Sequence, residues 1–319
     1  MTRHFLTGTE WSPDKINLIL DLGLELYNER KAARIHKNFK NRNDLTGQTL
    51  VMLFDKPSLR TRMSFTVAMT ELGGHVIDSQ GGSRKTEEPE DLARVLSGYA
   101  HGVMIRTFDH NYVERFSKAS MIPVINGLTD SHHPCQVMAD LLTLKQKWKN
   151  LNGLKMTYIG DGNNMLHSLM LLCPRMGIHL HYACPKNYQP DPQVLELALE
   201  NLKSSLSPAK GSSRAIGSIT SHENIKTAVS ESHALYTDVW TSMGFEAESI
   251  DREVAFRDYQ VDETLLKIAD PEAIVLHCMP MERGKEISKT LPDHPQSFIF
   301  MQSENRLHIQ KAILLELLK

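Results

Sequence analysis

The stretch VMLFDKPSLRTRMSF, residues 51–65, changes character within one short span. It opens as an unbroken apolar run, Val51 to Phe54, is interrupted at Pro57, and continues as a polar segment carrying hydrophobic residues at helical spacing. An apolar run closed by a turn reads as a buried strand, and strand, turn and helix in succession open a β–α unit. The same geometry lets loop N–H groups converge on an anion. Ser58 is placed to cap the helix and to donate a hydroxyl hydrogen bond. Arg60 offers a planar fork matched to phosphate oxygens, and Thr61 adds a second hydroxyl. Arg60 and Arg62 sit two apart and so point to different sides. One is placed to grip a ligand and the other to buttress the loop through an ion pair. A capped surface helix with two solvated arginines satisfies the same residues, so this stretch alone leaves both readings open. GxxxxGK[ST] is absent, so a nucleotide triphosphate is not the obvious ligand.

The β–α pattern repeats along the chain. Residues 13–38 predict an amphipathic helix with Pro13 at its start. Strands are expected at Leu50–Phe54, His75–Ile77, Gly102–Ile105 and Ile122–Ile125, with helices at Ser58–Leu72, Asp91–Ala100 and Pro134–Trp148. After Gly153 the series restarts. Strands are expected at Met156–Ile159, His179–Ala183, Ala234–Asp238 and Ala273–His277. Helices follow from about Asn164, at Asp191–Ser204 and at Ser303–Leu318, and SLSPAKGSSR (205–214) reads as a loop. Strands alternating with helices imply parallel sheets covered on both faces. The fold class is therefore α/β, with two doubly wound parallel-sheet domains. The boundaries are residues 1–135 and 136–302, with the helix at 134–148 as the bridge.

Composition narrows the function classes. The chain has 319 residues, 41% hydrophobic and 23% charged, with a net charge of −2. That balance does not point to nucleic acid or an anionic membrane as partner. No run approaches the roughly 18 apolar residues of a membrane span. Cys135, Cys173, Cys184 and Cys278 form no CxxC pair and fit a reducing compartment. MTRHFLTGTEW at the N-terminus has no apolar core of a signal peptide, so a cytoplasmic location is expected.

Further packets lie at the ends of expected strands. VMIRTFDHN (103–111) carries Arg106, and NGLTDSHHPCQ (126–136) carries His133 and Gln136 around a proline. TDVWTSMG (237–244) carries Asp238, Ser242, Met243 and a flexible Gly244, and LHCMP (276–280) carries His277, Cys278 and Met279. In open α/β sheets ligands bind beyond the carboxyl ends of the strands. Each packet also has a bland explanation: an edge-strand charge, a capped helix start, a small buried cysteine. HHPCQ invites a metal reading, but no second ligand pair stands at zinc spacing, and no metal is expected. GDGNN (160–164) invites a dinucleotide fold, yet Met165 stands where GxGxxG needs its third glycine.

Taken together and in order, SLRTR, HHPCQ, GDGNNMLHS, DVWTSMG, HCMP and ENRLHIQKA resemble the motifs of the aspartate/ornithine carbamoyltransferase family. The resemblance runs over nearly the whole chain. SxRTR with HPxQ marks the family, and SMG after DxW together with HCxP marks its ornithine branch. The resemblance implies two α/β domains with the active site in the cleft and the C-terminal helix 303–319 packing back on the first domain, carbamoyl phosphate and L-ornithine as substrates, and no cofactor. It also implies a homotrimer or an assembly of trimers, with a neighbouring subunit's loop, about residues 78–90, reaching the site.

By resemblance, Ser58, Leu59 (through its N–H), Arg60 and Thr61 wrap the phosphate, and Arg62 steadies the loop. Arg106 bridges the phosphate and the carbonyl oxygen, His133 donates to that oxygen, and Gln136 holds the carbamoyl NH2. Cys278 and Met279, through backbone, and Arg306 complete that NH2 site. Asn164, Ser242 and Met243 take the α-carboxylate end of ornithine, Asp238 its α-ammonium, and Cys278 lies near the δ-amine. The catalytic residues are then Arg106, His133 and Cys278. The chain departs from the pattern in SQGGSRKTEEPEDLARVL (79–96), which is shorter and more charged than is usual there, and in Met279 where leucine is common. The rivals are a related carbamoyltransferase using putrescine, an acylated ornithine or aspartate, a nicotinamide oxidoreductase on GDGNN, and a non-catalytic binding protein. DVWTSMG favours free ornithine, because putrescine has no α-carboxylate and an acylated ornithine no α-ammonium for Asp238, and enzymes that use aspartate lack the pairing of SMG with HCxP.

Overall fold

In the computed structural model the chain is described over residues 4–38, 42–80, 87–205, 216–241 and 246–319. It divides into two compact units, Met1–Leu142 with Glu304–Lys319, and Thr143–Ser303. The division falls inside α5 (Pro134–Trp148). The expected loop at 205–214 lies almost wholly outside the described residues.

The first unit is built on β1 (Thr49–Phe54), β2 (His75–Gln80), β3 (Gly102–Arg106) and β4 (Val124–Leu128), all parallel, in the order β2-β1-β3-β4. The register pairs Leu50 with Gly102 and Phe54 with Arg106. β1 is buried from Leu50 to Phe54, which is why its sequence is an unbroken apolar run rather than an alternation. On one face Val51, Leu53, Val103 and Ile105 pack with Ala93 of α3 (Pro89–Ser97) and with Val113 and Phe116 of α4 (His110–Ala119). The C-terminal helix α11 (Ile299–Leu318) belongs to this unit from Glu304 onward. A Cβ on Gly102 would stand 2.7 Å from Leu318 Cδ2, so glycine there lets the helix end approach the start of β3. α11 also contacts α1 (Pro13–Ile35), where Gly23 meets Ile309. Lys311 and Arg30 both pair with Glu71 at the end of α2 (Leu59–Glu71).

The second unit carries β5 (Lys155–Ile159), β6 (His179–Ala183), β7 (Ile219–Ser221), β8 (Ala234–Thr237) and β9 (Ile274–His277), parallel, in the order β7-β6-β5-β8-β9. Ile159, Leu235 and Val275 lead into a core with Val261, Leu265, Leu266, Ile287 and Ile299. α6 (Asn164–Leu172) is buried from Met165 to Leu172, as its all-round apolar sequence requires. The glycines of GDGNN serve the backbone. Gly160 has a φ of +145°, and a Cβ on Gly162 would lie 2.3 Å from the chain at Gln189–Pro190.

Both strand orders contain a switch point, where successive crossovers leave in opposite directions. It lies between β1 and β3 in the first sheet and between β5 and β8 in the second. Several elements go beyond the sequence reading: α4, β7, α7 (Pro192–Ser205) starting one residue later, and the short α8 (Ile225–Val229), α9 (Ser249–Phe256) and α10 (Glu263–Leu266). The short ones span too little chain for a period to register, and they are held by packing rather than by intrinsic preference. α11 begins at Ile299, ahead of the expected Ser303.

His308 of α11 is fully buried, edge-on to Tyr27, and neither ring nitrogen has a hydrogen-bond partner among the described residues. Burial, with Lys311 and Arg30 nearby, pushes it down to about 3. The unfolded chain takes up this proton below about 6.5, while the folded chain resists until about 3. Stability tied to His308 is therefore fully present above about 6.5 and is lost as pH falls toward 3. His308→Phe, which keeps the ring contact, is expected to flatten the fall of denaturation midpoint between pH 6.5 and 4. Urea titrations at several pH values check this; equal slopes in both proteins would contradict it.

Candidate active site at the two switch points

In the first unit the loop after β1 runs into α2 with Ser58 as N-cap, its Oγ accepting from Thr61 N–H at 3.2 Å. Arg106 ends β3, and its carbonyl accepts from Asp55 N–H, joining the two loops at the switch point. Arg62 forms an ion pair with Asp78 at 2.9 Å and lies over the Phe54 ring, the buttressing part expected of one of the two arginines. Thr61, Arg106, His133, Gln136 and Arg306 are all buried. Polar side chains of this strength are not normally withdrawn from water without a partner.

Two local arrangements fix which atoms remain available. Arg306 Nη2 donates to Thr61 Oγ1 at 2.6 Å. A guanidinium can only donate, so Thr61 accepts and its own hydroxyl hydrogen is left to point elsewhere. Gln136 Nε2 donates to Asp140 Oδ1 at 2.9 Å, one helical turn away on α5. Gln136 Oε1 has no hydrogen-bond partner among the described residues and stands as a buried acceptor. His133 precedes Pro134 at the start of α5, on a turn closed by Thr129 N–H to the His132 carbonyl. Burial, then Arg306 and Arg106, push His133 well below the usual imidazole range. It is neutral near pH 7, so it offers a hydrogen bond rather than a charge. Cys135 is buried and pushed up to about 12, so it stands as a neutral thiol near pH 7, its Sγ donating to the Asn126 carbonyl.

In the second unit Asp238 follows β8 and Asn163 follows β5, across the switch point. Asn163 Nδ2 donates to Asp238 Oδ2 at 2.8 Å, while Oδ1 caps α6 by accepting from Met165 N–H. Asp238 Oδ1 accepts from Cys278 Sγ at 2.9 Å and from its neighbour Val239 N–H at 2.8 Å. Asn164, the first residue of α6, is half-buried beside this group. Asp238, His277 and Cys278 bring one ligand-type atom each within 4.8 Å of one another. Both ring nitrogens of His277 are already engaged, by Met279 N–H and by Glu286, so the cluster is a hydrogen-bonded set. Arg252 of α9 pairs with Asp161 at 2.8 Å and donates to the Trp240 carbonyl. Burial nevertheless raises Asp161 to about 6. Ser242, Met243 and Gly244 lie outside the described residues, as do residues 81–86 of the implied subunit-bridging loop, Arg84 and Lys85 included.

The structure thus brings together Ser58, Leu59, Arg60, Thr61, Arg106, His133, Gln136 and Arg306 in one unit, and Asn164, Asp238, Cys278 and Met279 in the other. The sequence reading passed over Asn163, Asp140, Arg252 and Glu286. An asparagine one residue ahead of a helix is a capping signal, and Asp140 stands at i+4 from Gln136, so the first two left traces. Arg252 and Glu286 left none, because their partners are distant in sequence.

A family model described as the aspartate/ornithine carbamoyltransferase carbamoyl-P binding domain matches residues 3–146, and one described as the Asp/Orn binding domain matches residues 152–317. The chain belongs to the aspartate/ornithine carbamoyltransferase family. Within the family it is 44% identical over 322 residues to an ornithine carbamoyltransferase of Oceanobacillus iheyensis, covering 99% of this chain and 94% of that one. It is 42% identical over 321 residues to one of Anoxybacillus flavithermus, covering 99% and 96%. The solved ornithine carbamoyltransferase of Pyrococcus furiosus superposes with a TM-score of 0.90 at 39% identity, covering 99% of this chain and 97% of that one.

Asn163→Ala removes the α6 cap and one of the donors on Asp238. A lost cap costs about 1 kcal/mol, so the thermal midpoint is expected to drop by several degrees. Calorimetry of the variant checks it; an unchanged midpoint would mean that the cap contributes nothing here.

Proposed function

We propose that this chain transfers the carbamoyl group of carbamoyl phosphate to the δ-amine of L-ornithine, giving L-citrulline and phosphate, a step of arginine metabolism. The observation that carries the reading is the pair of switch-point clusters, one rich in buried donors and one centred on a carboxylate, in a chain with full-length ornithine carbamoyltransferase relatives. The capped loop of Ser58, Leu59, Arg60 and Thr61 holds the phosphate. Arg106, His133 and the Thr61 hydroxyl face the carbonyl oxygen, and Gln136 Oε1 accepts from the carbamoyl NH2, whose site Arg306 and the Cys278–Met279 backbone complete. Asp140 keeps Gln136 in the orientation that makes this possible. Asp238 pairs with the α-ammonium of ornithine, Asn164, Ser242 and Met243 take its carboxylate, and Cys278 lies beside the δ-amine.

The chemistry follows from these residue types. An alkyl amine titrates near ~10.4 and must be neutral to attack. Neighbouring cations and desolvation favour the neutral form. As the C–N bond forms, negative charge gathers on the carbonyl oxygen. Preorganised donors there are worth roughly 3–4 kcal/mol each. The C–O bond to phosphate then breaks, the phosphate leaves into its loop, and it can carry away the proton the amine gives up. Every group required is an amino-acid side chain or backbone amide.

The assembly we propose is a homotrimer, or trimers further associated. The first unit supports this by exposing Leu59, Met63, Ile77, Val95 and Tyr99, apolar side chains that an isolated subunit would leave in water. A cytoplasmic location accords with the cysteine content, and no helix among the described residues is long and apolar enough to cross a membrane.

Ureido product formation from carbamoyl phosphate, measured in parallel with L-ornithine, N-acetyl-L-ornithine, putrescine and L-aspartate, tests the reading. A strong preference for L-ornithine is expected; preference for another amine would overturn the assignment of Asp238. Arg106→Ala is expected to lower kcat by at least about a hundredfold in a protein that still folds. Asp238→Asn is expected to raise the KM for L-ornithine far more than that for carbamoyl phosphate. Steady-state kinetics with circular dichroism as the folding control decide both.

A further inference from the structure

The loop after β9 is held from behind by a side chain that touches no substrate. Met279 has a φ of +61°, a left-handed conformation that an unbranched non-glycine residue adopts at a cost. Its N–H donates to His277 Nδ1 at 2.9 Å. Nδ1 is therefore an acceptor, and the ring proton sits on Nε2. Nε2 lies 3.0 Å from Glu286 Oε1. That same oxygen accepts from Glu282 N–H at 2.5 Å, which anchors the carboxylate to its own turn. His277 is fully inaccessible and Glu286 is 1% exposed.

Stability does not account for this carboxylate. Glu286 Oε2 is buried with no hydrogen-bond partner among the described residues, which is an expensive way to fill space. What the arrangement does secure is a tautomer. With an acceptor at Nε2 the imidazole must present a bare Nδ1, and a bare Nδ1 is what captures Met279 N–H. Without that acceptor the ring is free to carry its proton on Nδ1, which would repel the Met279 amide and release the left-handed turn. The turn adjoins Cys278, whose Sγ donates to Asp238.

We propose that Glu286 is a positioning residue for the transfer reaction: through the His277 tautomer it holds the Cys278–Met279 backbone and keeps Cys278 on Asp238. The proposal rests on the functional reading above and extends it to a residue outside the recognised motifs.

The test compares Glu286→Gln, which keeps an acceptor, with Glu286→Met, which keeps bulk without one. Wild-type enzyme is assayed first with carbamoyl phosphate and L-ornithine. Glu286→Met is expected to lose roughly tenfold or more in kcat/KM for L-ornithine, the scale of one hydrogen bond to a charged group. The KM for carbamoyl phosphate, which rests on the Ser58–Thr61 loop, is expected to change much less, and Glu286→Gln should recover most of the loss. If Glu286→Met does not fold, Glu286→Asp, which withdraws the carboxylate by one methylene, carries the test with a loss in the same direction. Unchanged kinetics in a folded Met or Asp variant, or an equal loss in the Gln variant, would overturn the positioning role alone. No turnover of L-ornithine by wild-type enzyme would overturn the functional reading and this inference with it.

Discussion

Parallel pairing sends every strand of a sheet the same way, so all carboxyl ends lie along one edge. The remaining structure of each unit depends on that constraint. Residues as distant in sequence as Asp55 and Arg106, or Asn163 and Asp238, become neighbours only because β1 and β3, or β5 and β8, run side by side in register. At those two pairs the crossovers part company, leaving room beyond the strand ends that helices would otherwise cover. The apolar interiors of the strands exist to hold this edge in place. β1 and β3, buried along almost their whole length, carry the loops proposed to bind carbamoyl phosphate.

Electrostatics at the two edges are arranged in opposite senses. The first gathers Arg106 and Arg306 around a histidine that burial keeps neutral, an environment suited to a dianionic ligand and to charge that develops during reaction. The second surrounds one carboxylate with short donors, which suits a cationic amine. In both, the polarity of ambiguous groups is set by neighbours that can play only one part. Arg306 can only donate and so turns Thr61, Asp140 accepts and so turns Gln136, and Glu286 accepts and so turns His277. On the proposed reading, hydrogens are assigned before the substrate arrives, so little reorganisation remains for the reaction itself.

How much was legible beforehand depended on the range of each signal. The long strands and helices announced themselves by period and punctuation, and α5 begins at the proline and ends at the tryptophan that its sequence indicated. That one of the two arginines buttresses the loop was readable because two positions on a helix start cannot face the same way; the resemblance pointed to Arg62, and Asp78 supplies its ion pair. HHPCQ and GDGNN each have a local structural use. Cys135 is a buried thiol bonded to the Asn126 carbonyl, and Gly162 is small because residues 189–190 pass against it. The shorter elements α8, α9 and α10 did not show, since a few residues carry no period and tertiary packing decides their conformation.

The sequence by itself determined the α/β class, the order of the motifs and the chemical types gathered at the site, because strand and helix periods and turn residues act over a few neighbouring positions. Only the tertiary structure decided which side chains support the others. Arg252 reaches Asp161, Glu286 reaches His277 and Lys311 reaches Glu71 across gaps that no local pattern spans. Such pairs are fixed by where the sheets and helices come to rest. Their partners are chosen by burial, which makes an unsatisfied donor or acceptor too costly to keep, and burial is a property of the folded chain.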